Sequence, residues 1–179
     1  IITSNGTAAL SEGGHTVTAR QTEVGKPVSA PSGSIPIFVD TIAPSLASAP
    51  TFNFETDHSL TYVFAEAGLG NFAASSITVS DGVNTIPATV SYNAGTLTTT
   101  ITFGGLLENG NYTSTLNSAA ITDVAGNALN AGAPLSFFVL AGDANRDRSV
   151  TFDDLLLLTQ FYGENGRTFS QGNLNYDPT

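Results

Sequence analysis

Cysteine, methionine and tryptophan are all missing from the 179 residues. Without cysteine there is no disulfide framework, no zinc–thiolate site and no thiol nucleophile. Without a methionine even at position 1, Ile1 is expected to follow a removed segment or to belong to a longer chain. The lack of indole rings argues against a stacking platform for sugars. Charge is scarce as well: 11% of residues are ionic, five basic against fifteen acidic, for a formal net charge of −10. Nucleic acid and anionic membranes repel such a polyanion, whereas divalent cations are drawn to it. No signal-peptide pattern survives, and no apolar run approaches membrane-spanning length. Neither nucleic-acid binding nor membrane insertion is therefore expected.

What the chain does contain is short alternating segments separated by turn residues. GHTVTAR (14–20) places Val17 and Ala19 on one face, and SIPIFVD (34–40) places Ile35, Ile37 and Val39 together. TAAL (7–10) is a further short candidate. Pro36 consigns its strand to a sheet edge or a bulge. Three or four strands in about forty residues make an incomplete sandwich, so 1–41 is expected to be the C-terminal part of a domain. TIAPSLASAP (41–50) is a linker by composition.

Seven more strand signals follow: TFNFE (51–55), SLTYVFAE (59–66), ITVS (77–80), TIPATVSY (85–92), TLTTTITF (96–103), NYTSTLNS (111–118) and PLSFFVLA (134–141). The turns DGVN (81–84), NAG (93–95), ENGN (108–111) and DVAGN (123–127) supply residues that tolerate positive φ. With no helical period in between, this predicts an antiparallel β-sandwich over 42–141. Leu60, Tyr62 and Phe64 share a face, as do Leu97, Thr99, Ile101 and Phe103, and Ala88, Val90 and Tyr92. Tyr112, Ser114 and Leu116 form a fourth set. These are the predicted core.

DTIAPS (40–45), GGLLENGNYTSTL (104–116) and TDVAGNAL (122–129), in that order around the strand pattern, resemble tandem bacterial Ig-like domains. The resemblance covers about residues 1–141. It implies a mainly β fold of Ig-like sandwiches and a role as a spacer, stalk or adhesive rod on a secreted or cell-surface protein.

The last segment changes character. GDANRDRSVTFDDLLLLTQFYG (142–163) gathers four carboxylates and an asparagine, then turns apolar. A hard cation such as Ca2+ takes six to eight oxygens from a flexible loop that offers them at alternate positions. Counting from Asp143, the first, third and fifth positions are Asp143, Asn145 and Asp147. Ser149 is seventh, for its carbonyl; Thr151 is ninth, a water-mediated position; Asp154 is twelfth, a carboxylate able to give two oxygens. Val150, the eighth, is expected to pack inward. The following helix places Leu155, Leu158 and Tyr162 at helical spacing, and Asp153 and Asp154 lie at its N-terminus, where the helix dipole favours anions. Two positions depart from the pattern. Arg148 stands sixth, where glycine is usual, and must take positive φ; Asp154 replaces the longer glutamate.

Asp at twelve, a single helix after the loop and a second copy downstream are similar to a dockerin type I module, over residues 141–179. The second copy runs from Gly172, with Asn173, Asn175, Asp177 and Thr179 at positions one, three, five and seven. Asn173 and Pro178 replace the usual Asp and Gly, which weakens that half-site. The resemblance implies Ca2+-dependent folding and docking to a cohesin-like module. At positions ten and eleven, where such modules commonly carry a hydroxyl pair, this chain has Phe152 and Asp153. The protein partner then differs from a cohesin or is a neighbouring Ig-like subunit, or the leucines pack on the adjacent Ig-like domain and make the module a C-terminal cap.

Other constellations are weaker. Asp57, His58 and Ser59 are adjacent and cannot stack into a triad; they read as a polar turn. His15 reads as a polar strand residue. Glu55, Asp57 and Glu66 are candidates for paired glycosidase carboxylates, but lack aromatics to grip a sugar. Asp40 and Asp123 could hold calcium between modules, though turn chemistry explains them better. NGT at Asn5 and NYT at Asn111 match glycosylation sequons, which arise easily in a Thr-rich chain. No reaction is expected of this chain. The reading is a non-catalytic, calcium-stabilised Ig-like spacer with a dockerin-like module over 142–179. The alternatives are an accessory region of an extracellular glycoside hydrolase or other degradative enzyme, or a homo-oligomeric fibre subunit completed by a neighbour's strands.

Overall fold

The computed structural model describes residues 9–70, 72–130, 132 and 134–176. The chain divides into two compact units, Ile1–Ile42 and Ala43–Thr179.

In the first unit, β1 (Gly13–Val17) and β2 (Ile35–Val39) pair antiparallel, with His15 opposite Ile37 and Thr16 opposite Pro36. Among the described residues of this unit none is buried. Thr7 and Ala8 of the candidate TAAL strand lie outside the described residues.

The second unit holds the sandwich. One sheet has the order β3 (Thr51–Asn53), β4 (Ser59–Val63), β7 (Thr98–Phe103), β6 (Ala88–Asn93); the other has β5 (Ile77–Ser80), β8 (Gly110–Leu116), β9 (Leu135–Val139). All neighbours are antiparallel. The seven strands are those anticipated from alternation, and where their ends differ a local cause is visible. β3 stops at Asn53 because that side chain accepts from Glu55 N–H and donates to Thr56 Oγ1, which bends the chain. Residues 85 and 86 pair with β5 of the second sheet, and Pro87 then interrupts the ladder so that β6 enters the first sheet.

The core lies between the sheets. Leu60, Tyr62, Phe64, Ile101 and Thr99 face Ile77, Val79, Tyr112, Ser114, Phe137 and Val139, all buried, and Ile121 and Leu129 join the same cluster. Tyr62 and Ser114 link the two sheets by a hydrogen bond of 2.7 Å from the phenol to the serine hydroxyl. Both are buried, so Tyr62→Phe leaves a hydroxyl without a partner. We expect a loss of about 1–3 kcal/mol in thermal or denaturant unfolding. Adding Ser114→Ala should restore much of it. A double variant as unstable as the single one would show that the loss comes from ring packing instead.

Turn chemistry holds the loops. Asp81 Oδ1 accepts from the N–H groups of Val83 and Asn84, and Asn93 Oδ1 accepts from Gly95 and Thr96. After β9 the chain enters the acidic loop and a helix, α1 (Phe152–Gln160), the α-helix among the described residues.

Candidate metal centre

The acidic loop is built around two buried carboxylates. Asp143 is fully buried and Asp154 is 2% exposed. Asp143 Oδ1 accepts from Asp147 N–H at 3.0 Å, and its Oδ2 from Arg148 N–H at 2.9 Å. Asp154 Oδ1 accepts from Asn145 N–H at 3.2 Å, and its Oδ2 from Thr151 N–H at 2.7 Å. Thr151 caps α1 by accepting from Asp153 N–H, and with Asp154 it forms a reciprocal capping box. The N–H of Thr151 is the main reason the Asp154 carboxyl lies below its ordinary value; burial works against this, and the amides of Asn145 and Ala144 add to it.

Asp147 and Asn145 stand nearer the surface. Asp147 Oδ1 takes the Ser149 N–H, its Oδ2 takes the Asn145 amide, and Asn145 Oδ1 takes the Asp147 N–H. Ser149 and Thr151 are exposed at the loop's far side. The backbone turns at Arg146 and Arg148, with φ +63° and +74°. Val150 does not pack inward: it is 57% exposed and lies against Gly142.

The second loop repeats part of this backbone. Gly142 and Gly172, each immediately before a first position, have φ +92° and +88°; Arg146 and Tyr176, each at a fourth position, have φ +63° and +56°. Asn173 donates from its amide to Arg167 O. Asn175 is exposed. Asp177 and Thr179 lie outside the described residues.

The donor set is all oxygen, the chemistry a hard cation requires. Each oxygen of Asp143 accepts one N–H in the bonds above, which leaves lone pairs for a cation; Asp154 takes the Ala144 amide as well, so its two oxygens already share three N–H groups. The ion pairs among the described residues, Glu23–Lys26 and Glu164–Arg167, do not involve the loop. Neither buried carboxylate forms an ion pair with a side chain, although the Arg146 guanidinium lies close enough to Asp143 to feel its charge; a bound cation would offset what remains. Among the described residues, however, no three His, Asp or Glu side chains converge. A full shell must therefore draw on Asn145, the Ser149 carbonyl and water beside Thr151.

The helix phase corrects the expected apolar face. Leu155 and Tyr162 are exposed, at 48% and 85%. Asp154, Leu157, Leu158 and Phe161 are the covered positions instead, spaced i, i+3, i+4, i+7. Asp154 must point inward to close the loop and cap the helix, which fixes the rotation for every residue after it. Phe152, Leu155 and Leu156 are left in solvent.

Residues that sequence reading passed over hold this segment to the sandwich. The Arg146 guanidinium carbon lies 3.8 Å from the ring centroid of Phe138 and 4.3 Å from that of Phe54, and its Nη2 donates to Phe138 O. Arg148 stacks 4.2 Å from Phe138 and donates to Asn111 Oδ1. Glu55 accepts from both the N–H and the hydroxyl of Ser170, and Phe169 N–H donates to Glu55 O. Burial pushes the Glu55 carboxyl up, but the bonds from Thr168 and Ser170 outweigh it and the net shift is downward.

The remaining candidates have structural partners. Asp123 Oδ1 accepts from Ala125 and Asn127 N–H and its Oδ2 from the Asn127 amide, which closes the DVAGN turn. Asp40 accepts from Ile42 N–H. Glu55 is bound to Ser170, as above. His15 bonds Ser11 O. His58 is not a solvated turn residue: it is 4% exposed.

An antiparallel sandwich of four and three strands, followed by a carboxylate loop, is the architecture of an Ig-like module with a C-terminal appendage. The bacterial Ig-like domain family matches residues 34–139, and the chain belongs to that family. The match begins at the edge of β2, before the division at Ile42, and stops at Val139, before the acidic loop. No curated protein and no solved structure matches the chain. Bacterial Ig-like domains are a non-catalytic type and usually occur in surface or extracellular proteins. No helix among the described residues is long and apolar enough to cross a membrane.

Proposed function

We propose that this chain is a calcium-stiffened Ig-like spacer from a secreted or cell-surface bacterial protein, ending in a dockerin-type attachment module. The observation that carries the reading is the pair Asp143 and Asp154, buried at positions one and twelve of an all-oxygen loop, neither of them in a side-chain ion pair. The partial backbone repeat at Gly172 and Tyr176 supports a second, weaker loop of the same kind. When bound, Ca2+ would be held by Asp143, Asn145, Asp147, the Ser149 carbonyl and Asp154, with water at Thr151, and would supply the positive charge these carboxylates lack. Attachment to a cohesin-like protein module would use α1, which leaves Phe152, Leu155 and Leu156 open to solvent.

Calcium titration followed by calorimetry, circular dichroism and hydrogen exchange tests this. We expect at least one ion per chain with Kd below about 1 mM, the weak end for extracellular loops. Calcium at about 100-fold over Kd should stabilise the segment by about 2.7 kcal/mol. Chelation should melt α1 and leave the sheet signal intact, and Asp143→Ala should remove the response. Absence of binding heat, with α1 equally protected in chelator, would sink the calcium reading.

A further inference from the structure

We propose that His58 is an acid-sensitive latch that fastens the C-terminal segment to the end of the sandwich and opens when the imidazole takes a second proton. His58 follows the bend after β3 and is buried between two parts of the chain far from it in sequence. Its Nδ1 accepts from Leu107 N–H at 3.0 Å. A backbone amide can only donate, so this nitrogen is unprotonated and the ring proton sits on Nε2. Nε2 therefore donates to Tyr176 Oη, 2.8 Å away. The ring also packs edge-on against Tyr176 at 5.1 Å and Phe52 at 5.2 Å. Tyr176 in turn stacks on Phe169, and Phe169 meets Phe54 edge to face. One neutral tautomer thus joins the 104–107 turn, the bend after β3 and the last described turn of the chain.

A second proton breaks this arrangement. It puts an N–H where Nδ1 accepted, so the Leu107 amide loses its acceptor and faces another donor. It also adds a positive charge near the Arg146 guanidinium. The groups around the ring are mixed. Asp57, its neighbour in the bend, favours the proton; Arg146, from the acidic loop, opposes it; burial opposes it most. Glu108 lines the same cleft from the strand-linking turn. Glu55 is engaged by Ser170, and burial pushes the Tyr176 phenol up to about 12, so it stays neutral throughout. The net direction for His58 is below its ordinary 6.5. The unfolded or opened chain then takes the proton first. The latch is fully closed above 6.5 and is lost as pH falls through the lower, folded value.

The test is a proton NMR titration of the whole chain from about pH 7.5 to about pH 5 at constant calcium. The chain has two histidines, and the ring signal missing from His58→Asn identifies that of His58. We expect the His58 ring to titrate below 6.5, with the Leu107 amide and Tyr176 ring signals changing at the same midpoint. His58→Asn keeps an acceptor for Leu107 but cannot ionise, and should abolish that joint change. A His58 ring titrating at or above 6.5, Tyr176 signals constant across the range, or an unaltered transition in His58→Asn would each overturn the proposal. Should the variant fail to fold, the wild-type ring midpoint and its coincidence with Tyr176 decide alone.

Discussion

Asp154→Ala is expected to destabilise the loop and α1 by several kcal/mol and to do so in two separable parts. The first part needs no metal. The carboxylate accepts from Thr151, Asn145 and Ala144 amides, and a hydrogen bond to a charged acceptor is worth about 1.5–3 kcal/mol. The substitution also removes half of the capping box, about 1 kcal/mol by itself. These contributions overlap, and a total of about 3–5 kcal/mol in chelator is the expected result. The second part appears only with calcium. Wild-type protein should gain stability on addition of the ion and the variant should not, so the difference between them should widen. Hydrogen exchange across 151–160 reads both. An equal deficit with and without calcium would reduce Asp154 to a helix cap.

The pH dependence of the same group has a definite sign. The folded-state carboxyl of Asp154 lies below its ordinary 3.8. Its contribution is therefore present above 3.8 and disappears as pH falls through the folded value. Wild type and Asp154→Ala should converge under strongly acidic conditions. The loss tied to His58 begins below 6.5 and that tied to Asp154 below 3.8, and Asp154→Ala and His58→Asn separate the two in a titration of stability against pH.

The sandwich was legible because its signals are local. Leu60, Tyr62 and Phe64 alternate within five residues, and so do Thr99 and Ile101; each pattern states which face is covered before any partner strand is known. The strand ends were less legible: alternation ran on to Glu55 and began at Thr85, whereas the side-chain bonds of Asn53 and the missing N–H of Pro87 set the observed ends. The acidic loop was legible for the same reason, since all its candidate donors fall within twelve consecutive positions. What could not be read was how that loop is fastened. Arg146 to Phe138, Glu55 to Ser170 and His58 to Tyr176 are contacts of tertiary structure, the last two across 115 and 118 residues. Composition even misdirects here: four leucines suggest a buried helix face, and an arginine pair suggests solvent. In fact Leu155 and Leu156 are exposed while Leu157 and Leu158 are covered, because the phase of α1 is set by Asp154; and both arginines, Arg146 half-buried and Arg148 exposed, spend their flat, weakly hydrated guanidinium groups on the Phe138 ring. A carboxylate in the register, not the most apolar arc, decides which leucines are covered.

Gly172→Ala is the second large effect, and its size measures how tightly the second loop is packed on α1. Gly172 has φ +88°, a conformation that costs an L-residue about 1–2 kcal/mol. A methyl group there would also lie 2.7 Å from Leu158 Cα and 3.1 Å from Leu158 Cδ1. The first of these is helix backbone and cannot rotate away. Overpacking of this kind adds about 1–3 kcal/mol, so the expected total is about 2–5 kcal/mol, seen as a lower Tm and faster exchange in α1. Gly142→Ala is the control. Its φ is +92°, but its methyl group would meet only the γ-carbons of Val150, at 3.2 Å and 3.5 Å, and that side chain is mostly in solvent and free to yield. Its cost should stay near the conformational 1–2 kcal/mol. Equal losses in the two variants would mean that backbone strain accounts for both and that α1 can move off the second loop freely. A larger loss at Gly172 would mean that helix and loop form one packed body, so that an ion ordering either loop steadies the other.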